Sequence, residues 1–306
     1  MQPATLIQAI RHFSNPDTCL CFVSDMRWPN GIVCPRCHAA EPRFIKTRRI
    51  WECKGCKKQF SVKLGTIFED SPIGLDKWLC AIWLIVNAKN GVSSYEIHRS
   101  LGVTQKTAWF MMHRIRLALQ RKSLDKLKGE VEADETFIGG KARFMHADKR
   151  KKNIVGGGPI GKAIVMGLLE RHGKVHLQVI KDTTRETLHP EVRKNIEHGS
   201  QVFTDQWRAY EQLGAEYWHR VINHAENYVN GRIHTNSIEN FWSLLKRGLA
   251  GTYISVEPFH LFRYLDEQSF RFNARKGTDL DRFMAAVSTV GGRRVTYQQL
   301  TSQTTH

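Results

Sequence analysis

The stretch VEADETFIGG, residues 131–140, alternates apolar and polar side chains with the two-residue period of a β-strand. The odd-numbered residues from Val131 to Phe137 share one face of this strand, and Glu132, Asp134 and Thr136 share the other. The pattern predicts a strand that carries acidic side chains inside a sheet.

The segments that follow predict the rest of this sheet. Residues 162–180, KAIVMGLLERHGKVHLQVI, indicate two strands joined around RHGK, and residues 186–197 indicate a helix. Residues 200–214, SQVFTDQWRAYEQLG, indicate a short buried strand that ends at Asp205 and runs into a helix. This order of three strands, a helix, a fourth strand and later helices matches the mixed five-stranded sheet of ribonuclease-H-like nucleases. We therefore expect an α/β fold of that kind, with flanking helices.

The stretch HTNSIENFWSLLKR, residues 234–247, predicts an amphipathic helix with two distinct faces. The apolar face consists of Ile238, Phe241, Trp242, Leu245 and Leu249. The opposite face carries Glu239, Ser243 and Lys246. An acid and a base two turns apart on one face suggest a function for that face.

Three carboxylates fall in elements that such a fold brings together. Asp134 is predicted within the central strand, Asp205 at the end of an adjacent strand, and Glu239 on a packed helix. Carboxylates that meet repel one another unless divalent cations neutralise them, and magnesium, with manganese as the alternative, suits such ligands. Two ions about 4 Å apart can activate water and stabilise the leaving oxygen of a phosphoryl transfer. Lys246 lies ~10.5 Å beyond the glutamate along the helix, where it can grip a phosphate.

Each carboxylate also has an alternative explanation that the sequence leaves open. Glu132 or Glu135 can be the ligand from the first strand, and Asp205 can cap the following helix. The spacing from Asn236 to Glu239 fits a capping box, in which the glutamate binds only a backbone amide. Their combination in the expected elements and order favours a metal site.

Cysteine spacing near the start predicts a second metal centre. Two Cys-x2-Cys pairs are formed by Cys34, Cys37, Cys53 and Cys56. This spacing fits a tetrahedral four-thiolate zinc site, and a cytosolic chain disfavours disulfides. Residues 43–62 alternate like short antiparallel strands, and Gly55 is expected to take a left-handed knuckle conformation. The segment therefore predicts a zinc ribbon with structural Zn²⁺.

Basic charge predicts a polyanionic partner. The chain has 46 Lys and Arg against 29 Asp and Glu, a formal net charge of +17. The charge is clustered, since residues 43–63 carry eight basic residues against Glu52 alone. We expect this patch to contact DNA phosphates. Its predicted contacts include Arg48, Arg49, Lys57 and Lys58.

Residues 93–119 predict two helices around a glycine-containing turn. Ser93 and Glu96 have the spacing of a capping box, and Thr104 can cap the second helix. This layout is typical of a helix-turn-helix, in which the second helix enters the DNA major groove, although an ordinary helical hairpin shares it. The predicted base readers are the exposed first residues of that helix, Gln105, Lys106 and Thr107.

Apolar runs are too short to indicate a membrane protein. No run approaches the ~20 residues of a membrane span. The initial MQPATLIQAIRHFS lacks the long apolar stretch of a signal peptide. We expect a cytoplasmic, DNA-associated protein without a membrane partner.

Five sequence blocks together resemble one family. They are CPRC…CKGC, GTIFEDSPIGLDKW, EADETFIGGK, VFTDQWRAY and HTNSIENFWSLLKRGLAGTY. In this order they resemble the DDE-class insertion-sequence transposases with an N-terminal zinc ribbon, the ISXO2-like family related to eukaryotic Merlin elements. The resemblance covers roughly residues 15–275. It implies a ribonuclease-H-like domain that uses Asp134, Asp205 and Glu239 with magnesium to nick and join DNA, with Lys246 as the basic residue that follows the glutamate. Members of the family vary at the third acidic position, which makes Asn236 a second candidate.

Five segments are predicted along the chain. They are an N-terminal helical segment (1–30), a zinc ribbon (31–63), a helix-turn-helix DNA-binding domain (64–128), a ribonuclease-H-like DDE catalytic domain (129–275) and a C-terminal tail (276–306). The basic, glycine-rich block 139–162 is expected to be either a loop that orders on DNA or a plain flexible hairpin.

The resemblance implies double-stranded DNA as the partner, both as terminal inverted repeats and as target. It also implies a homodimer or larger assembly on DNA, because two element ends must be held together. Two other functions stay open at this point. One is a non-catalytic DNA-binding regulator with a domesticated transposase core, and the other is a related metal-dependent nuclease.

Overall fold

The computed structural model describes residues 3–120, 125–139, 161–205, 208–222 and 234–301. The chain divides into two compact units, residues 1–120 with 274–306 and residues 121–273. Most of the basic block 139–162, namely residues 140–160, lies outside the described residues.

The first unit begins with helices that pack around one apolar helix. Helices α1 (Leu6–His12) and α2 (Pro16–Arg27) contact α3 (Leu75–Asn87). Helix α3 is buried nearly all round between Trp78 and Val86 because the sequence offers apolar residues on every side. It is therefore the core helix of this unit.

The predicted zinc ribbon lies between α2 and α3. Its strands β1 (Arg43–Ile45), β2 (Ile50–Glu52) and β3 (Gln59–Phe60) form an antiparallel sheet in the order β1-β2-β3. Trp51 stacks on Phe60 with ring centroids 5.9 Å apart and supplies a small apolar core.

Helices α4 (Ser94–Leu101) and α5 (Gln105–Leu119) follow α3. The predicted caps are present. Ser93 and Glu96 form a capping box, and the Thr104 side chain accepts from the amide of Thr107. Gly102 joins the two helices with φ at 59°, a left-handed conformation that glycine adopts without strain.

The second unit is built on a five-stranded mixed sheet. Its strands are β4 (Glu130–Ile138), β5 (Ala163–Glu170), β6 (Val175–Ile180), β7 (Gln201–Asp205) and β8 (Trp218–Ile222), in the order β6-β5-β4-β7-β8. Strands β4, β5 and β6 are successively antiparallel, whereas β7 is parallel to β4 and β8 to β7. Strand β4 is therefore central, as its sequence predicted.

The two faces of this sheet are covered by different helices. Val131 and Ala133 belong to a core cluster that includes Leu188 and Val192 of α6 (Arg185–Asn195). The other face packs under α7 (Asn236–Gly248) and α8 (Leu261–Asn273), which contribute Ile238, Trp242 and Leu265 among others. Alternation along β4 thus sends Asp134 towards α7.

The prediction of a helix after Asp205 is wrong for residues 208–215, the part of that segment that the structure describes. Residues 208–215 contain two short 3₁₀ turns, Arg208–Tyr210 and Leu213–Ala215. Gln212 between them has φ at 72°, which interrupts a right-handed helix.

The end of the chain returns to the first unit. Helix α9 (Asp279–Ser288) packs on α3, and Phe283 lies 5.1 Å from Trp83 between ring centroids. The short helix α10 (Tyr297–Thr301) follows. Among the residues that the structure describes, no helix combines the length and apolar character that crossing a membrane requires.

Candidate active site and metal centre

Asp134 lies in the central strand with both carboxylate oxygens hydrogen bonded. The indole Nε1 of Trp242 donates to Oδ2 at 2.9 Å, and the amide of Glu135 donates to Oδ1 at 2.8 Å. Gly167 of β5 stands opposite Asp134 in the sheet register. The absence of a side chain at Gly167 lets the Trp242 ring lie against the sheet and reach the carboxylate.

The charge of Asp134 is coupled to those of two other carboxylates. The pKa of Asp134 is raised to about 6. Burial is the main cause, the two hydrogen bonds act in the opposite direction, and the negative charges of Asp205 and Glu239 add to the rise. Because charge interaction falls with distance, the two other predicted carboxylates lie near enough to Asp134 to act on it.

Asp205 is the last residue of β7, as predicted. The parallel register pairs Glu132 of β4 with Phe203 of β7. Two residues further along both strands, Asp205 comes level with Asp134 on the same face of the sheet. The strand order therefore explains why these two carboxylates interact.

Glu239 lies in the first turn of α7 and is exposed. Its Oε1 accepts a hydrogen bond of 3.0 Å from the hydroxyl of Thr235. These described residues do not form the capping box considered between Asn236 and Glu239. The helix begins at Asn236, so Thr235 and not Asn236 occupies the cap position. The carboxylate of Glu239 thus stays on the outer face of the helix.

The predicted division of α7 into two faces is confirmed. Ile238, Phe241, Trp242 and Leu245 are buried, whereas Glu239, Ser243 and Lys246 are exposed. Lys246 therefore shares its face with Glu239, two turns further along the helix.

Glu135 points to the other face of β4. Its carboxylate accepts a hydrogen bond from the buried Tyr210 hydroxyl, and burial raises its pKa to about 7. The charges of Asp134 and Asp205 also raise this pKa. Glu135 was the alternative ligand from this strand, but its side chain and that of Asp134 lie on opposite faces of the sheet.

The carboxylates are spaced more widely than the cysteines. The donor atoms of four cysteines all lie within 4.8 Å of one another, which among the described residues makes them the group that could hold a metal ion as they stand. These cysteines are Cys34, Cys37, Cys53 and Cys56. Their spacing fits a zinc ion, because ligands 2.3 Å from a tetrahedral centre lie ~3.8 Å apart. The Sγ atoms of Cys34 and Cys56 are 3.9 Å apart, and those of Cys37 and Cys53 are 3.4 Å apart.

Backbone amides favour the thiolate form that zinc requires. The amide of Cys56 donates to Sγ of Cys53 at 3.4 Å, and this backbone hydrogen bond is the main cause that lowers the pKa of Cys53 to about 6. In the other pair, the amide of Arg36, two residues after Cys34, donates to Sγ of Cys34 at 3.4 Å. The first cysteine of each pair therefore accepts a hydrogen bond from a backbone amide of its own turn.

Gly55 does not take the left-handed conformation that glycine makes available to a knuckle. Instead, His38 and Lys57, which directly follow the second cysteine of each pair, are left-handed, both with φ at 59°. Gly55 is needed for space instead, since a Cβ there would lie 3.2 Å from Cβ of Ala39 and 3.6 Å from Sγ of Cys37.

The predicted phosphate contacts of the ribbon differ in their surroundings. Lys57 and Lys58 are exposed. Arg48 donates a hydrogen bond to Oε1 of Gln59 at 2.8 Å. Arg49 forms an ion pair with Asp17 of α2, and its Nε donates to Oδ1 at 2.6 Å. Arg49 therefore ties the ribbon to α2, a role that sequence reasoning missed.

The predicted base-reading residues contact other side chains of the protein. Lys106 is exposed, but Gln105 and Thr107 are half-buried, which corrects the expectation that all three are exposed. Gln105 donates to the hydroxyl of Ser94 at 2.9 Å, and the Lys106 ammonium lies 4.8 Å from the ring centre of Tyr297. Gln105 thus contacts α4, whereas Thr107 contacts the cap residue Thr104 of its own helix. Whether these residues read bases stays a prediction.

Sequence reasoning also missed Gly167 and Trp242. The signal was present for Trp242, because a buried indole N–H usually finds a hydrogen-bond acceptor.

Comparisons with known proteins agree with this geometry. The family model described as the ISXO2-like transposase domain matches residues 126–273, and that of the transposase zinc-ribbon domain matches residues 14–59. No solved structure matches the chain.

Two relatives carry related names. An uncharacterized protein in transposable element ISH50 of Halobacterium salinarum is 27% identical over 241 residues, 74% of this chain and 81% of that protein. An uncharacterized transposase-like protein of Haemophilus influenzae is 34% identical over 101 residues, 33% of this chain and 81% of that protein. The chain belongs to the ISXO2-like transposase family.

Proposed function

We propose that this protein binds the ends of its mobile element and performs metal-dependent cleavage and strand transfer of DNA. The observation that carries the proposal is that Asp134 is a buried carboxylate on which the charges of both Asp205 and Glu239 act. Burial is the main cause that raises its pKa to about 6, and these two charges add to it. A cluster of this kind is costly for folding unless positive charge compensates it in function.

The carboxylates of Asp134, Asp205 and Glu239 are the residues that would hold a divalent cation. Oxygen donors from three separate elements suit magnesium, with manganese as the alternative. When bound, the cation supplies Lewis-acid stabilisation of the charge that develops on phosphate oxygens.

Hydrogen bonds from neighbouring residues orient the carboxylates of Asp134 and Glu239. Trp242 and the amide of Glu135 fix the carboxylate of Asp134, and Thr235 holds one oxygen of Glu239. Lys246 shares the exposed face of α7 with Glu239, ~10.5 Å further along the helix, where its ammonium can bind a DNA phosphate next to the reacting one. The exposed Lys57 and Lys58 of the ribbon add further phosphate contacts.

The proposed reaction has two phosphoryl transfers. Water first attacks a phosphorus at the element end, and the bond to the 3′ oxygen breaks, so that this oxygen leaves as a free 3′ hydroxyl. That hydroxyl then attacks a phosphorus of target DNA and displaces its 3′ oxygen. One phosphodiester bond is made for the one broken in the second step, which requires no external energy source.

The test uses labelled DNA that carries the element's ends together with a supercoiled target plasmid, in magnesium. We expect end nicking and end-to-target joining by the wild type, and neither by Glu239→Gln. Glu186→Gln is the matched control, because Glu186 is an exposed glutamate in the first turn of α6. It should react like the wild type.

Two other results would replace the proposal. Nicking without joined product under all conditions supports a metal-dependent nuclease. Binding to the ends without nicking, in magnesium and in manganese, supports a DNA-binding regulator with an inactive core.

A further inference from the structure

Glu132 is a fully buried carboxylate two residues before Asp134 on the same face of β4. Both of its oxygens accept hydrogen bonds. Arg171 Nε donates to Oε1 at 2.8 Å, and the backbone amide of Ile238 donates to Oε2 at 2.9 Å. A strand residue therefore binds the first turn of α7, the helix that carries Glu239.

Arg171 connects this contact to the rest of the unit. Its side chain is 8% exposed and pairs with both Glu132 and Glu130. Its Nη2 donates to the carbonyl oxygen of His234 at 2.7 Å, and its guanidinium lies 4.0 Å from the ring centre of Phe203 in β7. One guanidinium thus contacts β4, β7 and the segment just before α7.

Glu132 accepts a hydrogen bond from a first-turn amide of α7, a contact that the cap residue of a helix usually makes. The amides of a first helical turn need acceptors, which a cap side chain commonly supplies. Here the hydroxyl of Thr235, at the cap position, donates to Glu239 instead. The sheet supplies the acceptor through Glu132, and a carboxylate also suits the positive end of the helix dipole.

Helix α7 is attached to β4 at two matched points. The donors are the amide of Ile238 and the indole of Trp242, four residues apart and so ~6 Å along the helix. The acceptors are Glu132 and Asp134, two residues apart and so ~6.8 Å along the strand. Because both contacts join the same helix to the same strand, together they fix where Glu239, one residue after Ile238, lies relative to Asp134.

We propose that Glu132 is a positioning residue which, clamped by Arg171, holds the first turn of α7 and thereby places Glu239 relative to Asp134. The inference rests on the proposed function, because it assigns Glu132 a role in the carboxylate metal site. A buried ion pair by itself adds little to stability compared with apolar side chains of the same volume, which favours a positioning role.

The variant that tests this is Glu132→Gln in the full-length, zinc-loaded protein. Glutamine keeps the size but offers one oxygen, so either Arg171 or Ile238 faces its NH₂ group. Glu130→Gln is the matched control, because Glu130 lies on the same strand and its Oε2 also pairs with Arg171, at 2.9 Å. It removes the same charge from beside Arg171 without removing the acceptor of the Ile238 amide.

The first readout is amide hydrogen exchange, which does not depend on metal or activity. We expect faster exchange at Ile238 and Glu239 in Glu132→Gln, with β4 and β5 still protected, and no change in Glu130→Gln. Unchanged exchange at both amides overturns the inference and leaves the proposed function intact. If Glu132→Gln does not fold, Arg171→Lys tests the clamp instead, because it keeps the charge but removes the forked contact with Glu132 and the His234 carbonyl. We expect faster exchange at Ile238 and Glu239 there too, and unchanged exchange at both amides overturns the inference.

The second readout is Mn²⁺ affinity by calorimetry. We expect Glu132→Gln to weaken binding by about 10- to 100-fold, the usual effect of residues that orient metal ligands. In the Glu239→Gln background the same change should weaken it by less than about twofold, because Glu132 acts through Glu239. Equal losses in both backgrounds overturn the inference. A wild type that does not bind Mn²⁺ contradicts the proposed function.

Discussion

Gly167 and Trp242 are packed so closely that a Cβ on the glycine would lie 2.5 Å from Cη2 and 2.6 Å from Cζ2 of the indole. The same indole donates to Asp134, the residue opposite Gly167 in the sheet. The glycine therefore makes room for the side chain that orients the central carboxylate.

Replacing Gly167 with alanine should displace the indole. We expect the free energy of unfolding to fall by about 1–3 kcal/mol through overpacking, measured by urea denaturation. The nicking rate should fall as well, because Asp134 loses its hydrogen bond from Trp242. Gly214→Ala is the control, since a Cβ there meets open space among the described residues. A Gly167→Ala protein with wild-type stability and rate would show that the contact is not needed.

Stability without magnesium should depend on the ionisation of Asp134. Its pKa is about 6 in the folded protein against an ordinary 3.8, so between these pH values the folded state holds a proton that the unfolded state has lost. The free energy of unfolding therefore falls as pH rises from about 4 to 6, by roughly 3 kcal/mol from this group.

Asp134→Asn mimics the protonated form and should be more stable than the wild type at pH 8 in zinc-containing, magnesium-free buffer, with little difference at pH 4. Magnesium should stabilise the wild type and leave the variant unchanged. Thermal unfolding at the two pH values measures both effects. A wild type that is more stable than the variant at pH 8 without magnesium would contradict the proposed cost of burying this charge.

Zinc content should depend on the four clustered cysteines alone. Cys53→Ser should reduce bound zinc from about one ion per chain to almost none and unfold the ribbon, because a structural zinc site contributes its folding energy. Cys21→Ser provides the control, since Cys21 is exposed and outside the cluster. Elemental analysis of the purified variants decides, and zinc retained by Cys53→Ser would rule out the assigned ligand set.

DNA binding should lose salt dependence when the ribbon lysines are removed. Changing Lys57 or Lys58 to alanine should reduce the slope of log affinity against log salt concentration by about 1 each, because each releases about one counterion. Lys181→Ala is the comparison, since Lys181 is an exposed lysine in the other unit. Equal slopes for wild type and ribbon variants would place the DNA contacts elsewhere.

The parts of the fold that depend on local periodicity could be predicted from the sequence. Alternation predicted the strand that carries Asp134, and helical spacing separated Glu239 and Lys246 from the buried Trp242. The capping box at Ser93 also follows from spacing alone. In each of these cases the residues that decide the outcome are near one another in the chain.

The contacts that shape the site could not be predicted in this way. Glu132 meets the amide of Ile238 and Asp134 meets Trp242 across more than a hundred residues of sequence. Strand β8 was not located beforehand, because Trp218 and Val221 remain exposed at the edge of the sheet and give no burial pattern. Tertiary packing alone fixes these features.

The most direct test of the carboxylate site is magnesium-dependent nicking of DNA that carries the element's ends, by wild type and by Asp205→Asn. Binding of the same DNA is measured in parallel. We predict that the wild type nicks at the ends and that the variant binds them with similar affinity but does not nick. Equal nicking by the variant, or wild-type nicking that needs no divalent metal ion, would contradict the assignment of Asp205 and its partners as a catalytic metal site.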